Sequence, residues 1–131
     1  MAEKKKKEPN EKKEYRSFLY MLPVEAGAGK LAEALPFLER KSVEIWTAIN
    51  LLEITLAGAT LTFEDMMPEL CGKEDEQLLA DMGVKQVYAC DYEAKDAKEV
   101  QAIMKALIES FGGFLASDTA DFKPFLEAGE L

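Results

Sequence analysis

The sequence contains no histidine, and this absence excludes several kinds of catalytic and metal site. A Ser-His-Asp triad and a Cys-His pair both need an imidazole, and so does a His-ligated zinc ion. Any proton transfer would therefore use carboxylate, lysine, tyrosine or cysteine side chains. Carboxylates are abundant, with 25 Asp and Glu residues, but their spacing does not indicate convergence on an ion. We expect no metal site.

Cysteine and long apolar runs are also scarce. The two cysteines, Cys71 and Cys90, show no CxxC pairing and cannot form a disulfide framework, which is typical of a reducing compartment. No apolar run approaches the roughly 18 residues of a membrane span. The charged N-terminus is not followed by the apolar segment of a secretory signal. We therefore expect a cytoplasmic protein that does not contact a membrane.

The charge is divided unevenly along the 131 residues. Residues 1–14 (MAEKKKKEPNEKKE) contain six Lys and four Glu, a composition typical of a solvated, disordered leader. Residues 15–131 contain ten basic and 21 acidic side chains and are long enough for a single domain. Because this acidic body repels a phosphate backbone, we do not expect nucleic acid as a partner.

Apolar patterns predict strands that alternate with helices. Residues 42–59 (SVEIWTAINLLEITLAGA) are ambiguous: their β-branched content favours a strand, whereas Ile45, Ile49 and Leu52 have helical spacing. We interpret this segment as a helix. Strands are then predicted at 15–22, 59–65, 84–90 and 114–117, and further helices at 66–82 and 96–111. This alternation predicts an α/β three-layer sandwich, flavodoxin-like in style, with a mostly parallel sheet of four or five strands.

Sites in parallel sheets lie at the carboxyl ends of strands, and VEAGAGK (24–30) follows the first predicted strand. A P-loop is excluded, because its first glycine and its Mg²⁺-binding hydroxyl would fall on Val24 and Leu31. Residues 27–32 (GAGKLA) fit the looser GxGxxA dinucleotide pattern, but PVEA separates them from the strand. We interpret the segment as a loop that leads into a short helix, with nucleotide binding at Gly27–Gly29 as an alternative.

Cys90, in VYACDYE, is the candidate nucleophile. At the end of a predicted strand and just before a helix, backbone N–H groups and the helix dipole would lower the pKa of its thiol. The negative charges of Asp91 and Glu93 would raise it, and free cysteines often only fill the core. A reactive role and a packing role both stay open. Cys71 falls on an apolar helix face and is expected to pack in the core.

Several segments occur in a recognisable order. A predicted helix ends in a glycine break (LLEITLAGA), a strand follows (TLTFEDM), then a helical stretch (LLADMGV) and a strand that ends near a cysteine (KQVYACDYE). The N-terminal strand YRSFLYML fits the same order. From about residue 42 to 93 the chain thus resembles the DsrE/DsrF-like family of small sulfur-transfer proteins.

The resemblance implies a parallel five-stranded fold that assembles as dimers, trimers or hexamers, so a homo-oligomer is expected. It also implies that Cys90 carries a persulfide. The Cys90 thiolate would take a sulfur atom from a protein donor and pass it to an acceptor thiol, without a cofactor. The competing hypothesis is a non-catalytic interaction or oligomerisation domain of the same fold, in which Cys90 only packs.

Overall fold

The computed structural model, which describes residues 14–119 and 122–131, contains one sheet of seven strands and three α-helices. The strands are β1 (Tyr15–Leu22), β2 (Val43–Trp46), β3 (Leu51–Thr55), β4 (Thr60–Asp65), β5 (Gln86–Glu93), β6 (Phe114–Ala116) and β7 (Phe125–Leu126), and the helices are α1 (Ala28–Glu33), α2 (Lys73–Met82) and α3 (Ala97–Phe111). The order across the sheet is β2-β3-β4-β5-β1-β6-β7, and all neighbouring strands are antiparallel.

The predicted fold class is therefore wrong. The prediction was a DsrE-like three-layer sandwich with a mostly parallel sheet of four or five strands, whereas the seven strands pair only in antiparallel fashion. Parallel neighbours need a crossover connection, but a helix between two strands does not by itself make them parallel, and β4 and β5 are antiparallel although α2 lies between them. Here β2, β3 and β4 follow one another directly and form a meander, so the alternation is broken in the first half of the chain.

The source of the error is the segment 42–59, which is not a helix. It contains β2 and β3, joined by a 3-10 turn at Thr47–Ile49 and by Asn50 in the left-handed conformation, with φ 51°. Leu52 and Ile54 alternate into the core, as expected of a strand with one buried face. Ile45 and Leu52, whose spacing fits a helix, are paired across the β2–β3 hairpin, and Ile49 lies in the turn between them.

Other elements agree with the sequence. The strand predicted at 15–22 is β1, and the apolar stripe predicted to follow Asp96 is α3, whose buried residues are Val100, Ile103, Met104 and Leu107. The helix predicted at 66–82 ends where expected, since Gly83 follows Met82 and ends α2 with φ 72°. The leader predicted at residues 1–14 lies outside the described part of the chain, except for Glu14.

The two faces of the sheet are covered differently. One face, which we call the closed face, packs beneath α1 and α3 and forms the larger apolar core. Its fully buried side chains include Phe18, Tyr20, Leu52, Ile54, Phe63, Tyr88 and Cys90. On the other face, α2 and Phe122 cover only β5, β1 and β6, through a smaller cluster around Leu19, Met21 and Leu79.

Candidate functional site

Cys90, the predicted nucleophile, lies inside β5 and is fully buried. Its neighbours across the sheet are Phe18 on β1 and Phe63 on β4, and its side chain belongs to the core of the closed face. Because β5 continues to Glu93, Cys90 does not stand at the carboxyl end of its strand. The thiol therefore has no exposed surface at which a donor protein could reach it.

The electrostatic surroundings of Cys90 also disfavour thiol chemistry. Burial raises the pKa of the Cys90 thiol well above its usual value, and the charge of Asp91 raises it further. The sulfur atom lies 3.8 Å from the carbonyl oxygen of Tyr88, which can accept the thiol hydrogen. The thiolate is the attacking species in sulfur exchange, and burial and the charge of Asp91 both disfavour that species at Cys90.

Cys71 is the exposed cysteine, contrary to the prediction that it packs in the core. The helix predicted over 66–82 is interrupted, so that Cys71 lies in a link between the 3-10 turn Met67–Glu69 and α2. It lines an apolar cavity of about 460 Å³ together with Leu70 and Leu79. Gly72 is the N-cap residue of α2, so the helix begins only after Cys71.

The Gly27–Gly29 loop leads into α1, the short helix that the sequence predicts. The Ala28 N–H, which a phosphate-binding loop would offer to its ligand, donates to Oδ1 of Asn50 at 2.7 Å. The Leu31 N–H donates to the carbonyl oxygen of Gly27 as part of the helix. One donor of this short helix is thus already bonded within the chain, so the loop offers fewer contacts to a nucleotide.

Asn50 is the centre of a polar network that the sequence analysis missed. Its Nδ2 donates to Oδ2 of Asp65 and to the hydroxyl oxygen of Tyr88, both at 3.1 Å. The Tyr88 hydroxyl in turn donates to the carbonyl oxygen of Ala26. The available signal was an asparagine between two apolar segments, because asparagine tolerates the left-handed conformation of tight turns.

Further bonds complete the network. Oδ1 of Asp65 accepts from the N–H of Met67 and from Nε2 of Gln86, both at 2.9 Å. Burial, with a contribution from the charge of Asp65, raises the pKa of Tyr88 to about 12, so its hydroxyl stays a neutral donor. Because the polar groups bond to one another, the network joins three loops, those that follow β1, β2 and β4.

Two buried carboxylates lie where β5 leads into α3. Asp96 accepts from the N–H groups of Gly58 and Ala59 at 2.8 and 2.9 Å, and Glu93 accepts from the N–H of Lys95 at 2.8 Å. Asp96 stands at the N-cap position of α3, but its side chain bonds to the β3–β4 turn rather than to α3. Within the described ranges, no group of three or more His, Cys, Asp or Glu side chains could hold a metal ion.

The most distinctive surface is the free edge of β2, which pairs only with β3 in the described part of the chain. Three large apolar side chains on or just after this strand are exposed: Ile45 by 39%, Trp46 by 47% and Ile49 by 61%. Natural proteins usually protect such an edge with charge, proline or a covering segment. Exposed apolar side chains on an edge strand therefore indicate an association surface.

A groove runs beside this edge, between β2 and the segment that follows α1. Its volume is about 540 Å³, and its lining includes Leu35, Leu38, Val43 and Ile45, with Arg40 at one side. An edge strand next to an apolar groove is the arrangement with which several domains bind an added strand. Backbone groups of the edge form hydrogen bonds, while the groove accepts alternate side chains.

The uncovered half of the second sheet face has a different character. We call it the acidic face; it is formed by Glu44, Trp46, Glu53, Thr62, Glu64 and Asp91, which share one side of β2 to β5 by their pairing. All six are exposed or half-buried. The indole Nε1 of Trp46 donates to Oε1 of Glu53 at 3.1 Å. This face joins the free edge at Glu44 and Trp46.

No protein-family model matches the chain, and neither does any curated protein or solved structure. Among residues 14–119 and 122–131, no helix has the length and apolar character that crossing a membrane would require. The function of this protein therefore has to be inferred from its own surfaces.

Proposed function

We propose that this protein is a non-catalytic interaction domain that pairs with a second copy of itself through the edge strand β2. The observation that carries the proposal is the unpaired edge with exposed Ile45, Trp46 and Ile49. Such an edge is a template for another strand, and a closed homodimer protects it from open-ended association. The deep burial of Cys90 supports a role that does not need thiol chemistry.

Antiparallel pairing of two β2 strands extends the sheet across a two-fold axis. Val43 and Ile45 lie on the same side of β2 as the closed face, since they pair with Ile54 and Leu52 of β3. In the dimer, Ile45 of each copy packs against the groove of the other copy. Ile45, which is exposed in one copy, is thereby removed from water.

The charges at the two ends of β2 favour this arrangement. Arg40 and Lys41 lie just before the strand, whereas Glu64 and Glu69 line a cavity beside Ile49 at its far end. An antiparallel two-fold pairing brings the basic end of each copy next to the acidic end of the other. Complementary charges of this kind fix the register of an interface more than they add affinity.

The oligomeric state of two variants tests the proposal. Light scattering after size exclusion should give twice the 14.6 kDa chain mass for the wild type and a monomer for Ile45→Lys, because a lysine in the groove disrupts the pairing. Phe125→Lys is the matched control, since Phe125 is similarly exposed on the opposite edge strand β7. A wild type that stays monomeric at all accessible concentrations, or a dimer that persists in Ile45→Lys, contradicts the proposal.

The sulfur-carrier hypothesis for Cys90 and the nucleotide hypothesis for Gly27–Gly29 stay predictions. A persulfide donor that adds the mass of one sulfur atom to folded Cys90 would favour the first hypothesis. A rise in melting temperature with NAD or ATP would favour the second, because a ligand that binds only the folded state stabilises it.

A further inference from the structure

The acidic face carries uncompensated negative charge. Glu44 and Glu53 are directly opposite each other on β2 and β3, and Asp91 lies in the same row of side chains beyond Thr62. Like charges at directly opposed positions destabilise a sheet. Among residues 14–119 and 122–131, none of these carboxylates forms an ion pair with a lysine or arginine.

The same face offers a second feature that suits a cation. Trp46 is 47% exposed, and it lies beside Glu53, to which its indole nitrogen is bonded. An exposed indole attracts lysine and arginine side chains through its ring, with a strength comparable to a surface ion pair. Carboxylates and an aromatic ring side by side therefore fit a lysine-rich segment better than an apolar one.

The start of β1 lies next to this face, and a lysine-rich run precedes it in the sequence. The run Lys4–Lys7 precedes Glu14, and β1 begins at Tyr15, which pairs with Glu93 at the end of β5. Tyr15 lies on the same side of the sheet as Ser17 and its partner Asp91. The first residue of β1 is thus two positions from Ser17, the strand partner of Asp91.

The distances allow that run to reach the whole face. From β1 to β2 there are four strand spacings, about 19 Å at roughly 4.8 Å each. The seven residues from Lys7 to Glu14 span about 23 Å when extended, at roughly 3.3 Å per residue. Lys4 has three residues more. The segment is therefore long enough to place its lysines over Glu53 and Glu44 of the same chain.

We propose that the segment Lys4–Lys7 docks on the acidic face of its own chain, with its ammonium groups near Glu44, Glu53 and Asp91 and beside the ring of Trp46. This contact does not depend on the dimer, because it uses the face of β2 to β5 and leaves the edge of β2 open. It would screen the opposed carboxylates of β2 and β3 and weaken as salt is added, since exposed charges are screened within about 10 Å at 0.1 M salt.

Zero-length carbodiimide cross-linking of the full chain tests the contact directly, because it joins a lysine amine only to a carboxylate that it touches. We expect peptides that link Lys4–Lys7 to Glu44, Glu53 or Asp91, and we expect their loss at high salt. Mixing isotope-labelled and unlabelled copies separates links within a chain from links between chains. Links found only between copies, or spread equally over the carboxylates of α2 and α3, overturn the proposal.

Trp46 provides an independent readout, since it is the single tryptophan of the chain. Replacing all four lysines by glutamine should increase acrylamide quenching of Trp46 fluorescence to the value measured for wild type at high salt. Replacing them by arginine keeps the charge and should leave quenching unchanged, although the cross-links disappear. Quenching that is equal in the wild type and the glutamine variant at low salt would overturn the proposal.

Matched changes on the receiving side complete the test. Glu44→Gln combined with Glu53→Gln should remove the cross-links to that region and increase quenching at low salt. Glu74→Gln combined with Glu76→Gln, two exposed acids on α2, removes the same charge elsewhere and should change neither result. If the α2 pair has the same effect as the face pair, only net charge matters and the docking proposal fails.

Discussion

The closed face and the acidic face are formed by alternate residues of the same strands, yet their surroundings differ. On β4, Leu61 and Phe63 point into the core beneath α1 and α3, whereas Thr62 and Glu64 between them point to the acidic face. The closed face contains large apolar side chains and neutral tyrosine hydroxyls. One strand sequence thus places apolar side chains in the core on one side and polar side chains toward solvent on the other.

The largest difference between the two faces should appear in thiol reactivity. Cys71, which is exposed on the side of α2, should be alkylated in the folded protein at least about a thousandfold faster than Cys90. Reagent can reach Cys90 only when the protein unfolds, and the unfolded fraction of a stable domain is about one in a thousand or less. Intact mass and peptide mapping over time measure both rates. In urea the two rates should converge; similar rates in the folded state would show that the closed face opens readily.

Truncation of neighbouring residues on β4 compares the faces in stability. Phe63→Ala should lower the free energy of unfolding by about 3–5 kcal/mol, because it leaves a cavity in the closed core. Thr62→Ala, one residue earlier on the acidic face, should cost less than about 1 kcal/mol. Urea unfolding with both variants measures the difference. Equal losses would mean that the acidic face is packed as tightly as the closed one.

The smallest expected effect concerns a single carboxyl group of the acidic face. Partial burial and the charge of Asp118 raise the pKa of Asp91 above 3.8. The stability linked to this group is therefore complete below the unfolded pKa and is lost as pH rises through the raised folded value. Asp91→Asn should remove this part of the pH profile.

Urea unfolding at several pH values across the carboxylate range measures that profile, at high salt so that the proposed contact between Lys4–Lys7 and Asp91 is screened. Glu74→Gln is the control for loss of one surface charge. In the expected window, the wild type should lose stability relative to Asp91→Asn as pH rises. A wild type that gains stability relative to the variant over the same window would show that Asp91 has a stabilising partner.

Several elements could be predicted because local pattern and final structure agree. The apolar run of β1 ends at a proline, and α3 has a long helical stripe that ends at glycine. The segment 42–59 could not be predicted correctly, because its spacing fits a helix as well as two short strands. Only the pairing of β3 with β4 and the turn at Asn50 decide between them.

The candidate site shows the same division. The sequence indicated Cys90 as a residue near the end of a strand, but not that the strand continues to Glu93 and is covered by α1 and α3. It gave no sign that the apolar residues Ile45 and Trp46 would lie on a free edge, since edge position depends on which strands pair. Hydrophobic spacing reports which residues prefer burial, not which neighbour buries them.

The sequence by itself determined the absence of histidine chemistry, the separation of a lysine-rich segment from an acidic body, and the positions of β1 and α3. Those features follow from composition and from local periodicity, which depend only on residues close together in the sequence. The tertiary structure alone decided that the sheet is antiparallel, that Cys90 is sealed, and that one edge and half of one face stay open. Such properties depend on long-range pairing, whose energy comes from residues far apart in the sequence.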